Sequence, residues 1–118
     1  MNIKRLRVLS QRLCKKAKQS SAAYRIAAVA YSRSGNLLGF AVNSVRLDLS
    51  ASKRGSGVHA ERQLMKRFGE KIGYILLSRY GNGGDMLPIH PCEICAKLAK
   101  VHGIKIISLH EFLIKKEN

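Results

Sequence analysis

Apolar side chains along the 118 residues alternate between two kinds of spacing, and the switches mark out the elements. From residue 3 to 17 they recur at steps of three and four, at Ile3, Leu6, Leu9, Leu13, Cys14 and Ala17, which places them on one helical face. Tyr24 to Ser32 is instead a run of small and β-branched residues, ended by the turn signal Ser34-Gly35-Asn36, and Leu37 to Asn43 resumes an apolar run. That pattern predicts a β-hairpin. Hydrophobic order is lost from Arg46 to Gly57, where Ser, Gly and Lys gather into a loop. Ala60, Leu64, Met65 and Phe68 then fit a helix stopped at Gly69, and Tyr74 to Ser78 reads as a strand. A Gly-rich loop from Tyr80 to Asp85 leads to Pro88 and Pro91. Glu93 to His102 is a second short helix ended at Gly103, Ile104 to Leu109 a further strand, and Phe112 to Ile114 a last strand or helical turn.

Strands separated by helices imply parallel pairing through crossovers, while the first two strands pair as a hairpin, so the expected architecture is α/β with a mixed sheet and helices on its faces. A chain of 118 residues suits a single domain, residues 1–118. With 46% hydrophobic residues but only 6% aromatic and no Trp, the core is expected to be Ile, Leu, Val and Ala. No apolar run approaches the ~18 residues of a membrane span, which points to a soluble, intracellular, cytoplasmic protein with no membrane partner. The first 47 residues hold ten Lys or Arg and no acid, as transit peptides do, yet the strands beginning at Tyr24 lie within them. The basic segment is therefore read as part of the fold.

Charge narrows the class of partner. A net charge of +15 favours polyanions, in a salt-dependent way, and so a nucleic-acid or nucleotide partner. Lys4, Arg5, Arg7, Arg12, Lys15, Lys16 and Lys18 surround the apolar face of the first helix. That helix reads as a cover for the core with a solvated charged face, or as a surface for RNA or a membrane. Of three Cys, two form Cys-x-x-Cys behind a Pro, which suits metal or redox chemistry better than a secreted disulfide framework. Cys14 reads as a small buried hydrophobe.

The chemistry gathers in two short motifs, His59-Ala60-Glu61 and Pro91-Cys92-Glu93-Ile94-Cys95, each where a loop enters a predicted helix. One His and two Cys make a three-ligand set for a single Zn²⁺, and two thiolates with a neutral imidazole cancel its charge. Cys residues at i and i+3 share a helical face. Free amides and the helix dipole are expected to lower the thiol pKa values, and Pro91 suits the helix entrance. An open fourth position would hold a water made acidic by the metal, with Glu61 positioned to take and return its proton. Two rivals remain: a closed structural zinc with His90 as fourth ligand, and a redox dithiol that needs neither His59 nor Glu61.

His-Ala-Glu followed by Pro-Cys-x-x-Cys resembles the zinc-dependent nucleobase deaminases, which include deoxycytidylate deaminases, tRNA adenosine deaminases and the AID/APOBEC enzymes. The resemblance extends over the element order from about Tyr24 to Leu109. It implies a three-layer α/β/α cytidine-deaminase-like fold with a mixed four- or five-stranded sheet. It further implies one Zn²⁺ per chain on His59, Cys92 and Cys95, with Glu61 as proton shuttle. Asn43 is similar to an Asn that contacts sugar or base, its alternative being a residue that caps a strand, and Ala60 would offer its backbone N–H to the base. The implied reaction is hydrolytic, replacing the amine at C4 of cytosine or C6 of adenine and releasing ammonia.

Departures from the family pattern are His90, a longer Gly81 to Gly84 loop, and a chain that stops before the C-terminal helices of larger relatives. His rather than Cys as first ligand makes the small tetrameric cytidine deaminases a poorer match. Three functions follow. The first is a deaminase of a base, cytosine ahead of adenine, within single-stranded DNA or RNA, with Arg46, Lys53, Arg54 and the first helix tracking phosphates. The others are a free-nucleotide deaminase of deoxycytidylate or cytidine type, and a non-catalytic zinc module that binds RNA. Tyr80 or Phe40 would supply a stacking platform, and assembly as a homodimer is left open.

Overall fold

The computed structural model describes residues 3–18, 25–43, 59–81 and 83–117. In chain order these form α1 (Ile3–Ala17), β1 (Arg25–Ser32), β2 (Leu37–Val42), α2 (Ala60–Phe68) with a 3-10 turn at Gly69–Lys71, β3 (Ile72–Tyr80), β4 (Met86–Leu87), α3 (Glu93–Val101), β5 (Lys105–Ser108) and α4 (Leu109–Glu117). The predicted Arg46 to Gly57 loop and the start of β1 at Tyr24 lie outside the described residues.

Two strands carry the sheet. In β1 the four residues Ala27 to Ala30 are all buried, as are Ile75 to Ser78 in β3, so both strands are covered on both faces. Their side chains nevertheless alternate. Ala28, Ala30, Ile75 and Leu77 join a core cluster with Ala60, Leu64 and Met65 of α2 and with Cys95 and Ala99 of α3. Ala27, Val29 and Leu76 join a second cluster with Leu9, Leu13 and Ala17 of α1 and Leu109 of α4. The period of two thus sorts one sheet into two packed faces, giving three layers.

β1 pairs antiparallel with both β2 and β3. β5 and β4 share the far edge of β3, β5 parallel at Tyr74 to Leu77 and β4 antiparallel at Arg79 and Tyr80. The mixed sheet has five strands. The parallel pairing expected across helical crossovers is direct for β3 and β5, whereas β2 and β3 run in the same direction with β1 between them. The hairpin turn is the predicted one: Gly35 adopts φ of 90° and its N–H donates to the Ser32 carbonyl at 2.9 Å. At Gly73 a Cβ would lie 2.7 Å from the backbone N and Cα of Arg33, so only glycine allows β3 to pass this close.

The chain's last described element is a helix, which resolves the alternative left at Phe112 to Ile114. Leu109, expected to end a strand, opens it instead. Ser108 stands ahead of it and its Oγ accepts from the Glu111 N–H at 3.4 Å, so Ser108-Leu109-His110-Glu111 stops β5 and starts α4. Val42 and Ser78 both pair with Ala27, so the carboxyl ends of β2 and β3 lie at the same end of the sheet, with β1 between them. The connections to α2 and α3 leave from that end, where open α/β sheets hold their ligands. No helix among the described residues is long and apolar enough to cross a membrane.

Candidate active site

Each motif places its first ligand candidate at a helix cap. His59 has extended backbone as the N-cap of α2, and its carbonyl accepts from the Gln63 N–H at 3.1 Å. Cys92 does the same for α3: its Sγ accepts from the Cys95 N–H at 3.3 Å and its carbonyl from the Ala96 N–H at 2.9 Å. A cysteine therefore takes the capping role usual for Ser or Asp, which puts sulfur and helix amides together as expected. Pro91 stands one residue outside the cap rather than within the first turn.

The two caps converge. The ligand atoms of His59, Cys92 and Cys95 all lie within 4.8 Å of one another, and Cys95 Sγ is 3.4 Å from His59 Nδ1. Donors on a tetrahedron of ~2.3 Å bonds stand ~3.8 Å apart, so one zinc-sized ion fits this set, and one imidazole with two sulfurs is a donor chemistry zinc accepts. His90, the fourth ligand of the closed-site alternative, is exposed and outside the cluster. Among the described residues the set has three members.

Glu61 lies in the first turn of α2, 4% exposed, with Oε1 4.0 Å from His59 Nδ1. Burial raises its carboxyl above the usual range; its own backbone N–H and the charges of His59 and Arg62 pull the other way. A buried acid thus stands beside the three metal-type donors.

The expected lowering of both thiols fails at Cys95. Its pKa is pushed up to about 12, chiefly by burial, then by the Cys92 sulfur and the negative charges of Glu61 and Cys92, with only Arg62 opposing. Tertiary packing overrides the local helix field here. Arg62, which sequence reading passed over, is the nearby fixed positive charge, and its Nε is buried without a hydrogen-bond partner among the described residues.

The remaining expected residues are less closely gathered. Ala60 is fully buried in the first turn of α2, whose N–H groups have no intrahelical acceptor. Asn43 follows β2, and its side-chain Oδ1 accepts from the Ile26 N–H at 2.9 Å while its own N–H donates to the Ile26 carbonyl at 3.1 Å. It thus extends the β1–β2 ladder by one more pair. Gln63 was not singled out, yet its Nε2 donates to the Val42 carbonyl at 2.7 Å and ties α2 to the end of β2. No local pattern marks it, since Gln63 reads as one polar helix position among several. Arg46, Lys53 and Arg54 lie outside the described residues.

Two further expectations change. Tyr80 is 4% exposed and its hydroxyl donates to the Ser10 carbonyl at 2.9 Å, so it anchors α1 and offers no stacking face. Half-buried Cys14 packs at Gly84, with Sγ 3.7 Å from that carbonyl oxygen.

No family model matches the chain, and neither does any curated protein sequence. Solved structures do. A cytidine deaminase from Burkholderia pseudomallei is similar with a TM-score of 0.56 and 15% identity, covering 82% of this chain and 76% of that one. One from Mycobacterium leprae gives 0.56 and 18%, covering 86% and 85%. One from Mycobacterium tuberculosis gives 0.54 and 16%, covering 90% and 91%. At such identities the likeness is one of fold, and the chain has the cytidine deaminase fold.

Proposed function

We propose that this protein is a zinc-dependent hydrolytic deaminase of a nucleobase, cytosine ahead of adenine, carried in a single strand of DNA or RNA. The observation that carries the chemistry is the convergence of His59, Cys92 and Cys95 within 4.8 Å with buried Glu61 beside them. His59, Cys92 and Cys95 would hold the ion, which when bound supplies the Lewis acidity that lets water ionise near neutral pH. Glu61 takes a proton from the attacking water and returns it to the departing amine. A C–O bond forms at the amine-bearing carbon and the C–N bond breaks. The two protons of water end on the neighbouring ring nitrogen and on ammonia. The Ala60 amide and Asn43 orient the base and its sugar. The polynucleotide part of the reading is supported by the net charge of +15.

A free-nucleoside substrate is the second reading, favoured by the similar structures being named cytidine deaminases. Both readings are tested by ammonia release from deoxycytidine, deoxycytidylate, single-stranded DNA, duplex DNA and tRNA. Turnover of free nucleoside or nucleotide alone eliminates the polynucleotide. Glu61→Ala is expected to keep one zinc per chain and lose ~10²-fold or more in turnover. Equal loss of metal, or undiminished turnover, sinks the proton-shuttle role.

A further inference from the structure

On the sheet face opposite the His59, Cys92 and Cys95 cluster, two shallow clefts run along α1. One, of about 340 Å³, is bordered by Arg5, Arg12 and Tyr31, and the other, of about 250 Å³, by Arg12, Lys15, Lys16 and Phe40. Arg12 belongs to both, so they form one groove. Its wall is cationic and its floor aromatic. Arg5, Arg12, Lys15 and Lys16 are exposed, and α1 contains no acid. Lys16 Nζ stands 5.8 Å from the Phe40 ring centroid, and Tyr31 is held by stacking on Tyr74 with centroids 5.1 Å apart.

We propose that this groove binds a single-stranded polynucleotide, phosphates on the α1 cations and unpaired bases against Phe40 and Tyr31. Rows of cations beside aromatic rings serve a chain that is anionic along its length and carries a π-face at every repeat; paired bases would keep those faces to themselves. A lipid surface needs an apolar helix face to insert, and that of α1 is already occupied, because Leu9, Leu13 and Ala17 are buried against the sheet. Direction is set by the topology. Phe40 lies two residues before Val42 at the carboxyl end of β2, the end from which α2 and its His59 cap start. A strand lying along the groove therefore runs toward the end of the sheet from which α2 starts, and must turn over that edge to reach the metal-ligand cluster on the other face. The inference deepens the polynucleotide reading and rests on it only for what the bound strand is for.

Binding is measured without turnover, by fluorescence anisotropy of labelled single-stranded RNA and DNA of about 20 nucleotides on the zinc-loaded Glu61→Ala chain. The double variant Arg12→Glu/Lys16→Glu is expected to bind about tenfold or more weakly, with the salt slope shallower by about 1.4 for two lost phosphate contacts. Lys66→Glu/Lys100→Glu changes the net charge equally at exposed positions of α2 and α3, and is expected to stay within about threefold. Phe40→Leu is expected to weaken binding severalfold at an unchanged salt slope. Equal losses in the two double variants, or no loss in the first, overturn the groove. So does tighter binding of phosphatidylserine vesicles than of RNA. A chain that binds RNA in the groove yet deaminates nothing keeps this inference and ends the functional one.

Discussion

Asn43 holds two assignments that one pair of substitutions separates. As a structural residue its Oδ1 accepts the Ile26 N–H at 2.9 Å; as a site residue it orients sugar or base. In Asn43→Ala the Ile26 donor loses its acceptor. Leaving a buried donor unsatisfied costs about 1–3 kcal/mol, and since Ile26 and Asn43 are both half-buried the lower part applies, about 1–2 kcal/mol. A chain of this length unfolds with an entropy of about 0.25 kcal/mol/K, so the melting temperature should fall by about 4–8 °C. Asn43→Asp keeps an acceptor oxygen in place and should melt within about 2 °C of the parent. Thermal melts followed by circular dichroism measure this, alongside kcat and KM for deamination. If Asn43 also meets substrate, Asp raises KM with stability intact; if it only caps the strand, loss of activity follows loss of stability. Ala and Asp melting together, or Ala melting with the parent, would refute the account of the Ile26 bond.

Gly73→Ala forces a Cβ to 2.7 Å from the Arg33 backbone, which cannot rotate away, so a loss of about 2–3 kcal/mol is expected in urea titrations. Gly39→Ala meets the tip of the Phe68 ring at 2.8 Å, which can tilt, and should cost less than Gly73→Ala. Tyr80→Phe removes the bond to Ser10, should cost about 1 kcal/mol, and should speed amide exchange in α1. Burial raises the folded pKa of this phenol, so its contribution is present below the unfolded value near 10 and is lost as pH climbs through the folded one. Stability of the parent should therefore fall more steeply above pH ~10 than that of Tyr80→Phe.

His59 and Cys92 each precede an apolar helical pattern, and the caps formed where those patterns start, so the three ligand candidates could be found from residue type and position alone. The same holds for the alternating β1 and β3 faces. What escaped depends on neighbours distant in the chain. Cys95 sits at a helix start, a local reason for an acidic thiol, but the layers of α2 and β3 that bury it come from elsewhere and reverse the sign. Tyr80 borders a Gly-rich loop and looked exposed; β3 runs two residues further than its apolar pattern, and α1 covers the ring. Phe112 to Ile114 is too short for period alone to choose helix over strand. The signal that decides it, Ser108 three residues before Glu111, was present and overlooked.

The bond between Tyr80 and Ser10 joins residues 70 positions apart. During synthesis α1 is made well before its seat exists, because Leu9, Leu13 and Ala17 dock on β1 and on β3, which is not complete until residue 80 has been added. At about 5–20 residues per second, that interval lasts several seconds. Throughout it the helix is an amphipathic segment with nowhere to bury its apolar side. Like charges along that segment would oppose its association with other such segments while it waits, and in the folded chain the same row is surface.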